Sequence, residues 1–161
     1  MTTRRQLLRN AGILGTTFLS LGIATRSWAA AFPLTLSEAE WRKRLKADQF
    51  AVLRKSGTER PFTSRLLDEH RRGTFTCAGC DQGLFESATK FDSGTGWPSF
   101  WAPLGGAVGE TSDTSFGTTR TAVHCSRCGG HLGHVFADGP KPTGLRYCMN
   151  GVALGFKATS A

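Results

Sequence analysis

The chain has 161 residues with a formal charge of +8, is 39% hydrophobic and 20% charged, and contains 20 glycines and five cysteines. That apolar fraction excludes a disordered chain, and the mixed composition without a short repeat excludes a fibrous one. The first 31 residues carry Arg4, Arg5, Arg9 and Arg26 and no acid, so the charge of the remainder falls from +8 to +4, spread among acids as in "TSRLLDEHRR"; without a basic run interleaved with aromatics, a nucleic-acid partner is excluded.

The N-terminus, "TTRRQLLRNAGILGTTFLSLGIATRSWAAAF", joins paired arginines to a weakly apolar stretch from Ala11 to Ala24 and then to Ala29, Ala30 and Ala31. This is the form of a twin-arginine export signal, with cleavage expected after Ala31. Gly12, Gly15, Thr16, Thr17, Ser20 and Gly22 dilute the apolar stretch, which would cross a bilayer poorly; an uncleaved anchor is the alternative. The expected organisation is a signal over residues 1–31 and one domain over 32–161, able to bury a single core. Its expected location is the periplasm, without stable membrane association after cleavage. Exported thiols pair at random unless tied up first, and a route that carries folded proteins lets a metal site close before export.

Ser37-Glu38-Ala39-Glu40 has the form of a capping box, and Trp41 and Leu45 follow four apart, so residues 38–46 are predicted as a short amphipathic helix. A second is expected from Asp48 to just before Gly57, with Phe50, Val52 and Leu53 as its apolar face. Both are expected to cap the core. From residue 73 the pattern changes to short runs rich in Thr, Phe and Val: "GTFTCA", "GLFES", "TSFGTTRTAVHC", "GHVFA" and "RYCMNGVALGF". Gly, Pro, Asp and Ser separate them, which is strand-and-turn punctuation, so the domain is expected to be mainly antiparallel β with short helices at its start.

Cys77 and Cys80 in "CAGC", and Cys125 and Cys128 in "CSRC", each place two thiols on one tight turn beside small residues such as Gly79, Gly129 and Gly130. Two such knuckles suit a tetrahedral four-thiolate zinc site. The long gap from Cys80 to Cys125 makes it a staple between distant hairpins rather than a compact ribbon. Haem attachment would need a histidine after the second cysteine, where Asp81 and Gly129 stand. A redox pair or two disulfides remain as alternatives.

A closed four-thiolate zinc does no chemistry, so a reactive group must lie elsewhere, and Cys148 is the remaining thiol. Arg146 lies two residues back on the same strand face, where its charge would favour a thiolate, and Asn150 lies on that face too. A buried, inert cysteine is the alternative. "GGHLGHVF" supplies His131 and His134 as candidate proton donors, with capping or surface roles as the alternative, which is also the reading for His70 and His124. In "KFDSGTGWPSFW", Trp97 and Phe100 flank Pro98 after Gly94 and Gly96 and suggest an aromatic wall on a loop, though such residues also serve as core.

Taken in order, "CAGC", "KFDSGTGWPSF", "CSRCGGHLGHVF" and "DGPKPTGLRYCMN" resemble the methionine-R-sulfoxide reductase family, from about Leu36 to Phe156. The resemblance implies a β-tent of two antiparallel sheets, one structural zinc on the four paired cysteines, and thiol-dependent reduction of the R epimer of methionine sulfoxide in proteins. By position it implies Cys148 as nucleophile, His134 as proton donor with His131 beside it, and Trp97 against the substrate methyl group. Arg146, Asp138 and Asn150 would support the site, with Phe100 beside Trp97. Partners would be oxidised proteins and a thioredoxin-like or other thiol reductant. Two positions depart from the family's pattern: Ala137 stands where many members carry an acid, and Thr95 where many carry a resolving cysteine. Sulfoxide chemistry fits these residues, because the oxygen leaves only when protonated while a thiol attacks sulfur. Competing readings are a non-catalytic zinc-stapled β domain binding through its Trp97 surface, and a disulfide exchanger using C-x-x-C.

Overall fold

A computed structural model describes residues 32–159, so the expected export signal over 1–31 lies outside the described residues. The first helix, α1 (Glu38–Arg44), opens on the expected capping box: Ser37 Oγ accepts from the Glu40 amide, and the Ser37 amide donates to Glu40 Oε2 at 2.8 Å. It ends at Arg44 with Leu45 as its cap, two residues short of the expected end at 46, because Lys46 is already extended and caps α2 (Ala47–Lys55). α2 ends where Ser56 turns left-handed. Trp41, Leu45, Phe50, Val52 and Leu53 are buried, and the guanidinium of Arg54 stacks over Trp41 while donating to the Cys128 carbonyl at 2.9 Å. No described helix is long and apolar enough to cross a membrane.

The rest is mainly β. The strands are β1 (Gly73–Cys77), β2 (Gly83–Glu86), β3 (Lys90–Phe91), β4 (Ser99–Phe100), β5 (Val108–Asp113), β6 (Arg120–Cys125), β7 (His131–Phe136), β8 (Arg146–Met149) and β9 (Leu154–Ala158). They form two antiparallel sheets, one in the order β2-β1-β9 and one in the order β3-β4-β8-β7-β6-β5. Between them Phe100 stacks on Phe85 with centroids 4.3 Å apart and meets Phe75 edge-on at 4.9 Å, so aromatic rings from both sheets make the core.

One strand expectation changes, and one strand, β5, lies outside the expected runs. "RYCMNGVALGF" is not one strand: a 3-10 turn at Gly151–Ala153 divides it into β8 and β9, which belong to different sheets. Gly151 lies so close to Ser64 that a Cβ would collide with it, and the adjoining amides turn onto the Glu59 carboxylate instead of a strand partner. The run "VGETSD", polar on its exposed side, forms β5 as an edge strand on β6.

Candidate active site and metal centre

β1 of the smaller sheet ends in Cys77, and β6 of the larger ends in Cys125. Each opens a knuckle of the same construction. The Cys77 amide donates to the Gln82 carbonyl and the Asp81 amide to the Cys77 carbonyl, both at 2.8 Å; the Cys125 amide donates to Gly130 and the Gly129 amide to Cys125, both at 2.9 Å. The residue after the second cysteine is left-handed in both, Asp81 at φ 61° and Gly129 at φ 67°, using two residue types that tolerate that region. The four buried sulfurs all lie within 4.8 Å of one another, with Cys77 to Cys128 at 3.7 Å and Cys80 to Cys125 at 3.5 Å. A tetrahedral ion with bonds of about 2.3 Å sets its sulfurs about 3.8 Å apart, whereas a disulfide needs about 2.05 Å. The cluster therefore fits a metal ion, and it ties one sheet to the other.

The second site lies on the larger sheet's central strands, where β7 and β8 pair. β8 alternates, with Tyr147 and Met149 buried in the core and Arg146 and Cys148 turned the other way. Cys148 pairs with His134 of β7 on one side and Ser99 of β4 on the other. Gly133 permits this approach: a Cβ there would lie 2.1 Å from the Cys148 carbonyl oxygen. Cys148, His134, Trp97, Phe136, Asn150, Arg120, Gly133 and Thr58 line a cavity of about 150 Å³.

The Cys148 sulfur is 3.8 Å from Thr95 Oγ1, which continues through Ser93 (2.8 Å) to Ser99 (2.7 Å) as a chain of hydroxyls. Burial pushes the Cys148 thiol up; Thr95, the Arg146 charge and Ser99 pull the other way without overcoming it. Arg146 thus acts in the expected direction, favouring the thiolate, but burial outweighs it. Arg146 gives both arms to Asp138, at 2.9 and 2.8 Å, and lies 4.5 Å over the Phe136 ring. Asp138 is largely exposed and does not line the cavity; it holds the arginine that braces Phe136.

His134 Nε2 lies 2.7 Å from Asp113 Oδ2, which also receives Arg120 at 2.8 Å, while Asp113 Oδ1 receives the Ser115 hydroxyl at 2.6 Å. The Ser115 hydroxyl and His134 hold the Asp113 carboxyl well below the usual range. His131, edge-on to His134 at 5.3 Å, is 8% exposed, and burial lowers it to about 4, so it is neutral near pH 7. It faces an adjoining polar cavity, not the one holding Cys148.

Glu59 ties the remaining wall together. Its carbonyl accepts from Trp97 Nε1 at 3.2 Å, its amide donates to Asn150 Oδ1 at 2.9 Å, and its carboxylate accepts from the Gly151 and Val152 amides. Burial raises that carboxyl despite the two amides. The Asn150 amide group, itself buried, donates to the Leu132 carbonyl at 3.0 Å. Phe100 is corrected: Ser99 and Phe100 alternate on β4, so Ser99 faces Cys148 and Phe100 goes wholly into the core.

Compared with protein-family models, residues 45–158 match the SelR domain. The chain belongs to the SelR-domain family. Three similar proteins carry the name peptide methionine sulfoxide reductase MsrB. The one from Pseudomonas putida is 59% identical over 119 residues, covering 73% of this chain and 90% of its own length. The one from Saccharophagus degradans is 58% identical over 115 residues, covering 71% and 86%. The one from Methanosarcina barkeri is 56% identical over 122 residues, covering 75% and 86%. Within this SelR domain, Asp113, Arg120, Phe136, Glu59, Ser93 and Ser99 join the site without having been singled out in the sequence. A strand register would have revealed Asp113, which is the last residue of β5 and pairs across from Arg120.

Proposed function

We propose that this protein is a methionine-R-sulfoxide reductase that repairs oxidised proteins, with Cys148 as its nucleophile. One observation carries the reading: a thiol and a carboxylate-held imidazole sit opposite each other on paired strands, in a cavity walled by Trp97 and Phe136. The names of the similar proteins support it.

The substrate's S-methyl packs against Trp97 and Phe136, leaving the oxygen toward His134. The Cys148 sulfur attacks the sulfoxide sulfur while His134, oriented by Asp113, protonates the oxygen. The attack forms an S–S bond in a protonated adduct; the oxygen then passes to the Cys148 sulfur as that S–S bond and the sulfoxide S–O bond both break. The thiol's proton replaces the one His134 gave, so one thiol and one sulfoxide become one sulfenic acid on Cys148 and one thioether. A thioredoxin-like or other reductant supplies two thiols: the first forms a mixed disulfide and releases water, the second restores Cys148 and leaves as the reductant's disulfide. With methyl and oxygen both assigned places, only one epimer presents its sulfur to Cys148. The decisive assay offers each methionine sulfoxide epimer with a thiol reductant: R-only turnover is expected, and S-selective or absent turnover overturns the reading.

His134→Ala should slow the sulfoxide step by about two to four orders of magnitude, measured in single-turnover kinetics. A loss below about tenfold would place the proton on water instead.

Thr95 makes the cycle depend on an outside thiol. Its hydroxyl occupies the position next to the Cys148 sulfur where a resolving thiol would stand, and the other four cysteines belong to the metal cluster. Substrate given without reductant should therefore leave the protein heavier by one oxygen, and Thr95→Cys should yield an internal disulfide instead. Intact mass decides it: loss of two hydrogens in the unmodified protein would mean that a cluster cysteine resolves the intermediate.

The metal is proposed to be one structural zinc on Cys77, Cys80, Cys125 and Cys128, which closes the coordination shell and takes no part in the reaction. Residues 1–31 are proposed as a twin-arginine signal that delivers the folded enzyme to the periplasm. Protein recovered from a periplasmic extract should begin at Phe32; an intact N-terminus in the membrane fraction would make the segment an anchor.

A further inference from the structure

Phe62 is 70% exposed, against 37% for Phe32, the other large apolar side chain in solvent among the described residues. Its backbone is left-handed, at φ 62°, where a bulky residue is strained. Two features make this exposure built rather than loose. The Phe62 amide donates to the Gly96 carbonyl at 2.8 Å, and its ring packs so closely on Gly96 that a Cβ there would lie 2.8 Å from it. Three residues earlier, Glu59 anchors the same loop to Trp97, Asn150 and the Gly151 turn. A strained conformation held this firmly keeps an aromatic ring in water that simpler backbone geometry would have let fold away.

The ring lines a cavity of about 220 Å³ whose apolar wall is Leu67, Phe91, Gly96, Trp97 and Pro98 and whose other side carries Asp68, His70, Lys90 and Asp92. Trp97 also lines the cavity that holds Cys148, and the 58–62 loop reaches both, through Thr58 at one and Phe62 at the other. The two cavities are thus neighbours divided by one indole. A methionine sulfoxide held at Trp97 within a polypeptide must continue past that indole, and an extended chain advances about 3.4 Å per residue.

We propose that this second cavity is a subsite for an apolar side chain flanking the oxidised methionine, with Phe62 as its exposed wall. The proposal rests on the reductase reading and names its substrate more closely: oxidised methionines that were packed beside apolar neighbours and are exposed when the damaged protein loosens. Burying part of a leucine on Phe62 would favour such peptides by about tenfold.

The test compares three substrates of the R epimer: N-acetyl-methionine sulfoxide amide, a pentapeptide with serines beside the sulfoxide, and the same pentapeptide with leucines there. For the unmodified protein, kcat/KM for the leucine peptide should exceed that for the serine peptide by about tenfold, mainly through KM. Phe62→Gly accepts the same φ while removing the ring, so the loop keeps its path, and the ratio should fall to within about twofold. A purely structural role for Phe62 would lower all three substrates alike and leave the ratio unchanged. A ratio near one in the unmodified protein, or a tenfold ratio that survives Phe62→Gly, overturns the subsite while the reductase reading stands. Failure to turn over even the N-acetyl compound overturns the reductase reading and the subsite with it.

Discussion

Cys148→Ser is expected to lower turnover of methionine-R-sulfoxide by at least about 10⁴-fold while leaving metal content and fold unchanged. Serine oxygen is a far poorer nucleophile toward sulfur and cannot take up the transferred oxygen as a sulfenic acid. The substitution is nearly isosteric at a half-buried position, and the hydroxyls of Thr95 and Ser99 are at hand to satisfy a new one, so the stability change should stay within about 1–2 kcal/mol. Retained metal is the separating readout, because the sulfurs of Cys77, Cys80, Cys125 and Cys128 form their own cluster at the ends of β1 and β6, while Cys148 sits within β8. Activity near that of the parent would remove Cys148 from the mechanism. Loss of metal with loss of activity would show that the two sites are one. The non-catalytic binding-domain reading predicts an unchanged function for this variant, so the same measurement discriminates against it.

What could be read without coordinates was whatever lies close together along the chain. The two C-x-x-C turns, the capping box at Ser37 and the shared face of Arg146 and Cys148 all depend on spacings of two or three residues, and local backbone geometry suffices to place them. His134 and Cys148 were both singled out, yet their direct pairing depends on the β7–β8 register. Asp113, 21 residues from His134, and Glu59, 91 from Asn150, reach the site only through tertiary closure, and no local signal marks them. Phe100 shows the opposite failure. A wall was visible in "GWPSF", but alternation along a two-residue strand decides that Ser99 faces the thiol and Phe100 the core, and the strand's phase is set by its partner β8. Arg146 acts on Cys148 as its place on the strand implies, but the burial that outweighs it comes from the closed fold and has no local signal.

The other large effect expected is on the fold. Replacing any one of Cys77, Cys80, Cys125 or Cys128 by serine should lower both bound metal and thermal stability, with Tm falling by more than about 10 °C or the folded protein failing to accumulate. The reason is topological as well as chemical. β1 belongs to the three-stranded sheet and β6 to the six-stranded one, and the two knuckles bring their ends together with sulfurs 3.5 to 3.7 Å apart. A serine hydroxyl is too hard and too weakly acidic to replace a thiolate on zinc, and it leaves three cysteines buried against one another without the ion that stabilises their charge. Structural zinc in small domains contributes about 10–16 kcal/mol of apparent binding free energy, which is comparable to the whole stability of a domain this size, about 5–15 kcal/mol. Even partial loss should therefore be visible as unfolding. The helices should loosen with it, because Leu53 packs against Gly130 and Arg54 holds the Cys128 carbonyl. Metal analysis alongside thermal unfolding tests this, and a variant that is metal-free yet melts with the parent would show that the hydrophobic contact of Phe75, Phe85 and Phe100 joins the sheets unaided.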